Sequence, residues 1–425
     1  MDNGDTKGQP RLWSAVFVLI ILLTLCCFVM GQGLNSGTSV FLVGEGYGAS
    51  FAGALALAFS LTAALSRILL GPVIDGGRCS LVIIAGIAVL LAGTFMSAVV
   101  EGVPLFTLSR LLQGAGFGAA TTAASTAAAS VLPAARLGEG IGYHGLGQAL
   151  AMSIGPALAL YLVGTEPATN LYVGLSLVGV VGLVVAFNAR FERKWRKLPP
   201  TCAYRRKMEA EEASLGKGEQ PAAQPKRTVR DALNILEPRA LPGAVPMAIL
   251  CPMYGFGIFF TGLYGTTLGF EHAGLFYTIS AASMVTVRLC SKSFMDTVPA
   301  IKTYTVAIVC SLLQSAMLLA APMSEAIYLG SGVLYGLSLG ITLPLNQSVA
   351  VKNTPPERWG ATNALFLLMN DLGIGVTSLI WGAINDTLGF QVSIICIIAC
   401  QLLSYAVAWA MYPADAKRWK RRGRA

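Results

Sequence analysis

Gly48-Ala-Ser-Phe-Ala-Gly-Ala-Leu-Ala-Leu-Ala-Phe-Ser-Leu-Thr-Ala-Ala-Leu-Ser-Arg-Ile-Leu-Leu70 is an almost uncharged run broken only by Arg67, and the polar turn Gly71-Pro-Val-Ile-Asp75-Gly-Gly-Arg78 follows it. A helix needs about 20 apolar residues to cross the hydrocarbon of a bilayer, so this run reads as one membrane span with a loop after it. The same pattern returns 221 residues later: Ala52-Gly53 meets Ala273-Gly274, Arg67 meets Arg288 and Asp75 meets Asp296. With one more residue of offset, Gly114 and Gly118 meet Gly336 and Gly340, Pro133 meets Pro355, Arg136 meets Arg358, and Gly138 meets Gly360. Many of these are uncommon residue types at loop edges. Shared apolar composition does not produce such agreement, so the chain reads as one unit followed by a second copy.

Working outward, further runs of the same kind fill both copies. Helices are expected at Leu12–Leu34, Gly48–Leu70, Ser80–Val100, Val103–Ala124, Gly138–Leu162 and Asn170–Asn188. After a polar stretch come Leu241–Thr266, Ala273–Cys290, Thr303–Ala321, Ala326–Ala350, Gly360–Ala383 and Gly389–Met411. The expected fold is therefore an all-α membrane protein of twelve transmembrane helices in two six-helix pseudo-symmetric bundles. Residues 1–188 form the first bundle, 189–240 a cytoplasmic linker, and 241–425 the second bundle with a basic tail. Composition agrees: 55% of residues are hydrophobic and 12% charged, against roughly 25% charged in soluble domains. The first apolar run is too long for a signal peptide and lacks a small-residue cleavage pattern, which makes it a retained helix.

The net charge of +9 is explained by topology rather than by nucleic acid. Lys7, Arg11, Arg67, Arg78, Arg136, the cluster from Arg190 to Arg239, Arg288, Lys292, Lys302, Lys352, Arg358 and the tail Lys417–Arg424 all fall on one side of the helix map. The other side carries Glu45, Glu101, Glu166, Glu271, Glu325 and Asp386. This positive-inside bias places both termini in the cytoplasm of a cell inner membrane. The tail and the segment Phe191-Glu-Arg-Lys-Trp-Arg-Lys197 are expected against anionic lipid headgroups. None of the nine cysteines pairs with another in an outer loop, and no His or Cys spacing suggests a metal. A single copy of the chain is expected to suffice.

Several motifs carry a family resemblance. The turn Gly71-Pro-Val-Ile-Asp75-Gly-Gly-Arg78 is similar to the loop signature of the major facilitator superfamily, although it lacks the basic residue after the Asp and is one residue shorter. Leu108-Ser-Arg110-Leu-Leu-Gln113-Gly114-Ala-Gly116 matches that family's second signature more closely. Gly142 with Gly155-Pro156 resembles the antiporter signature of its drug and metabolite exporters, with Ala151, Ala159 and Leu160 standing in place of glycines. The resemblance covers nearly the whole chain and implies transport by alternating access, without enzymatic activity. Bottom-up, Gly114, Gly116 and Gly118 suit close helix packing. Gly155-Pro156 removes a backbone donor and is a candidate hinge.

Gly114-Ala-Gly-Phe-Gly118 follows no strand and is not a nucleotide loop. No cofactor is expected, so energy must come from an ion or solute gradient. Charges within the hydrocarbon mark function by default. By the helix map, Arg110 and Asp371 are the two left deep in helices four and eleven, from opposite halves, roughly 10 and 16 Å from the nearer helix ends at 1.5 Å per residue. Asn370 maps onto Gln148 in the repeat and Asp371 onto Ala149, so the acid breaks the symmetry. Together with Gln113, Gln347 and Asn346, these residues are the candidate lining for solute and protons. Glu139 and His144 are weaker candidates, expected near solvent at the inner end of helix five. Asp75 and Asp296, with Arg78, Arg67 and Arg288, are expected to form paired cytoplasmic latches. The expected function is proton-coupled efflux of a small amphipathic or cationic solute, with Asp371 protonatable and Arg110 its electrostatic counterweight. The alternative is an importer or exchanger of a small organic anion that uses Arg110 as the ligand.

Overall fold

The computed structural model describes residues 12–75, 77–100, 102–133, 136–216, 237–294, 298–354 and 359–412. Twelve long helices run through the described residues: α1 Ala15–Gly44, α2 Ala49–Asp75, α3 Cys79–Val99, α4 Val103–Val131, α5 Leu137–Val163, α6 Asn170–Asn188, α7 Leu241–Phe259, α8 Leu275–Phe294, α9 Ala300–Leu319, α10 Glu325–Lys352, α11 Trp359–Thr387 and α12 Phe390–Met411. Ten of them are long and apolar enough to cross a membrane. The other two, α4 and α8, have the length but are less apolar: α4 is rich in Ala, Gly, Ser and Thr, and α8 carries Arg288 and Lys292. Alternating helices present one face bearing the basic loops and one bearing the acidic loops; these are called the basic and acidic faces below.

The packing repeats as the sequence does. In the first half α1 packs on α4, α5 and α6, α3 on α4 and α6, and α2 on α4. In the second half α7 packs on α10, α11 and α12, α9 on α10 and α12, and α8 on α10. Each pair is the other's counterpart six helices on. The glycines matched by the repeat explain one such pair: a Cβ on Gly114 of α4 would collide with the Phe59 carbonyl of α2, and one on Gly336 of α10 with the Ser280 carbonyl of α8. Small residues at these crossings let the backbones approach as membrane helices require. Between the halves, α2 packs on α11, α5 on α8, and α1 on α7.

Several helices run past their expected ends, α2 to Asp75 and α4 to Val131 among them, and the first and seventh differ most. The first runs ten residues beyond Leu34, to Gly44, because the small polar residues 35–39 contain no Pro and the apolar run Val40-Phe-Leu-Val43 follows them. The seventh is interrupted at Phe260 and resumes as Thr261–Thr267. The Tyr277 hydroxyl of α8 bridges that break, donating to the Gly257 carbonyl at 3.0 Å and accepting from the Gly262 N–H at 3.1 Å. Backbone groups freed inside a membrane helix need such replacement partners.

The first part of the linker is packed against the first bundle. Phe191, Leu198 and Cys202 are buried in the basic-face core of the first half, together with Phe17, Ile83 and Leu132. Glu192 accepts the Ser80 N–H at 3.0 Å at the start of α3, where a carboxylate gains from exposed amides and the helix dipole. A linker helix, Ala203–Gly216, follows. Replacing residues 216–224 with a Gly/Ser stretch of equal length is expected to preserve transport rates in proteoliposomes. Phe191→Ala should instead cost about 3 kcal/mol of stability, read as a lower melting temperature in detergent; a large loss of transport from the Gly/Ser replacement would expose a role for the stretch beyond tethering.

Candidate functional site

Asp371 lies twelve residues into α11 and Arg67 eight residues before the end of α2, so both sit well inside their helices. They meet across the interface between the halves, with Arg67 Nε 2.9 Å from Asp371 Oδ2 and side chains 18% and 21% exposed. The distance is that of an ion pair, but neither atom takes part in an aligned hydrogen bond. Arg67 is steadied from its own half: Nη1 donates to Thr122 Oγ1 of α4 at 3.1 Å, and the guanidinium stands 5.9 Å from the Phe117 ring. Beside the acid, the Cys251 thiol of α7 points at the Asn370 side-chain oxygen at 3.6 Å.

This arrangement corrects two sequence-based expectations. Arg110 is not the counterweight of Asp371. It is fully buried and turned into the first half, where Nη1 donates to Gln113 Oε1 at 2.9 Å, Nη2 to Asn35 Oδ1 at 3.0 Å, and Phe59 lies 4.8 Å under its plane. Gln113 passes the bracing on to α3 through the Gly93 carbonyl at 3.1 Å and Ser97 Oγ at 2.9 Å. Nor does Arg67 belong to a loop latch: α2 continues two turns past it, which carries it inward by about 12 Å. Its repeat partner Arg288 likewise lies inside α8 and crosses to the first half, where Nη1 donates to the Gly145 carbonyl of α5 at 3.2 Å.

The remaining candidates divide in the same way. Asn346 is a helix brace, donating to the Thr342 carbonyl at 2.8 Å and accepting from the Tyr412 hydroxyl at 2.8 Å. Gln148 is half-buried on α5, and its amide lies 3.4 Å from His144 Nδ1. His144 is buried rather than solvated, with Nε2 3.1 Å from Thr24 Oγ1. Gln347 is half-buried on α10, and Arg78 is exposed at the start of α3. Asp296 and the side chains of Asp75 and Glu139 lie outside the described residues. The helix α5 continues unbroken through Pro156, and Gly155 lies against α1, its Cβ position 2.6 Å from the Val29 carbonyl. Between the halves, Gln32, Met152, Pro156, Tyr277, Ser280 and Tyr335 line a pocket of about 20 Å³, room for about one water.

Toward the acidic face the interface is closed by a contact that the sequence did not suggest. Asp386, in the last turn of α11, accepts from the Ala49 N–H and Ser50 N–H at 2.7 Å each and from Ser50 Oγ at 2.5 Å. It thus satisfies amides at the start of α2 that have no partner within that helix. Below it, Ser378 Oγ donates to the Gly53 carbonyl at 3.2 Å. Asp386→Ala should loosen this closure by roughly 1 kcal/mol, given the pair's exposure. A cysteine introduced at Leu57 would then react faster with a thiol reagent added from the acidic face, and an unchanged rate would remove Asp386 from the closure.

Twelve helices in two matched bundles, with charged residues meeting at the seam between them, are the architecture of one large class of membrane transporters. The chain belongs to the Major Facilitator Superfamily, whose family model matches residues 12–378. It is 24% identical over 386 residues to the staphylopine export protein of Staphylococcus aureus, covering 88% of this chain and 90% of that one. An uncharacterised MFS-type transporter of Pseudomonas aeruginosa is also 24% identical, over 86% of this chain and 85% of its own. Among solved structures, a mutant of the nucleoside transporter NupG aligns with a TM-score of 0.70 at 15% identity, over 93% of this chain and 100% of that chain. A POT family transporter in complex with 5-aminolevulinic acid aligns with a TM-score of 0.70 at 11% identity, over 96% of each chain. The protein is therefore a multi-pass membrane transporter of small solutes and not an enzyme.

Proposed function

We propose that the chain exports a small cationic or amphipathic solute in exchange for protons, with Asp371 as the group that both cargoes use. The observation that carries this reading is the position of Asp371: a carboxylate at the seam of the halves, partly accessible, whose charged partner comes from the opposite half. Protonation cancels the charge that holds Arg67, so the state of one carboxyl group bears on the contact between α2 and α11. A site whose access alternates between two waters can take up a proton on one side and release it on the other as solute binds. The likeness to an export protein supports the direction.

The organic-anion reading is less well supported, because it needs Arg110 available to a carboxylate. Both of its terminal nitrogens are committed to amide oxygens inside the first half. Counterflow in proteoliposomes separates the two readings: exchange of labelled organic cations but not of carboxylates is expected, and the reverse would overturn the export proposal. The basic face is placed toward the cytoplasm by the positive-inside bias. There Arg193, Arg196 and Lys197 are exposed beside the partly buried Trp195, which suits the headgroups of anionic lipids. One copy of the chain, bearing both halves of the seam, suffices for this cycle.

A further inference from the structure

We propose that Arg67 is an internal stand-in for the solute's cationic group, competing with it for Asp371 and thereby setting specificity for solutes that carry a compact positive charge. This deepens the export proposal and rests on its use of Asp371.

The geometry of the pair points to a contact made to be exchanged. A guanidinium and a carboxylate committed to each other align two parallel hydrogen bonds. Here Arg67 Nε lies 2.9 Å from Asp371 Oδ2, yet its N–H is not aimed at that oxygen. The acid accepts no aligned hydrogen bond from any described residue, and Asn370 beside it engages the Cys251 thiol. A carboxylate left this way offers its remaining lone pairs to whatever donor enters the seam. Arg67, in contrast, keeps its Thr122 bond and its place near Phe117 without the acid. It can therefore let go of Asp371 and still hold its position, although it loses its countercharge.

The contrast with Arg110 separates the two roles. Arg110 places both terminal nitrogens on amides of its own half and is fully buried, so it stays where it is whichever way the halves move. Arg67, unlike Arg110, touches a carboxylate of the opposite half. When α2 and α11 separate, that ion pair must part. A solute ammonium that takes over the carboxylate replaces the lost charge pairing, and a neutral solute cannot. An anion would meet the carboxylate's repulsion, so the selection extends to charge sign.

The test is equilibrium binding to the purified full-length protein in lipid nanodiscs, without any gradient, using a panel of spermidine, benzylamine and phenethylamine, each of which carries a compact ammonium. Arg67→Gln is expected to bind at least one of these roughly fivefold more tightly than wild type, the scale of a partly exposed ion pair. Arg67→Lys, which keeps the competing charge, should stay near wild type. In the Asp371→Asn background, Arg67→Gln should give no gain. If no cation in the panel binds Arg67→Gln more tightly, or if the gain survives without Asp371, the inference is overturned. Failure of the export reading would show differently, as transport by wild-type proteoliposomes that ignores an imposed pH gradient.

Discussion

Asp371→Asn is expected to abolish accumulation driven by a pH gradient while leaving solute exchange partly intact. The amide imitates the protonated acid in shape and in hydrogen bonding, but it cannot take up or release a proton, so the two flows lose their coupling. The substitution also strips Arg67 of its countercharge at the seam. Removing one partner of a buried pair costs several kcal/mol, and the 18% and 21% exposure of these side chains reduces that to about 1–3 kcal/mol. The single variant should therefore also be less stable, and Arg67→Gln added to it should recover much of the lost melting temperature without restoring coupling. Proteoliposomes with an imposed gradient provide the measurement. Full gradient-driven transport by the Asn variant would reduce Asp371 to a packing residue.

The fold is legible in the sequence because the membrane leaves few choices: spans must be long, apolar and helical, and the duplicated Gly, Pro and Arg positions tie the two halves together. Asp371 is legible for the same reason, as an acid with no place in hydrocarbon. Arg67 is not, because a helix ending at Leu70 puts it beside a loop, whereas α2 continues to Asp75. Its match to Arg288 in the repeat, eight residues before an aspartate in each half, is the available signal. Arg110 escapes for a different reason. Depth can be counted along a sequence, but the direction of a side chain depends on neighbours such as Asn35 and Phe59 that come from other helices. The Asp386 closure is hidden among the loop acids, since only the tertiary fold brings it to the start of α2. The docking of Phe191 and Cys202 is hidden likewise, inside a segment whose average composition reads as solvated.

Gly53→Val should arrest the cycle by preventing the acidic face from closing. Gly53 lies where α2 crosses α11, and a Cβ there would collide with the Ser378 carbonyl and lie 3.1 Å from Leu379 Cα. Both are backbone atoms, so no flexible side chain can yield. One turn nearer the face the relation is reciprocal: a Cβ on Gly382 of α11 would lie 2.5 Å from the Ala49 carbonyl. The α2–α11 crossing is thus a backbone-to-backbone contact that only glycine permits, and Asp386 fastens its end. Overpacking of this kind costs about 1–3 kcal/mol, which shifts a two-state equilibrium by roughly 5- to 150-fold. The cost falls on the closed state alone, because the added methyls meet their obstacle only when the halves come together. Gly53→Val should therefore insert and fold normally, yet lose both gradient-driven transport and exchange. A cysteine at Leu57 should become more reactive from the acidic face, more so than in Asp386→Ala, where hydrogen bonds are lost but no obstacle is added. Normal exchange by Gly53→Val would mean that the cycle does not require the two helices to close at this crossing.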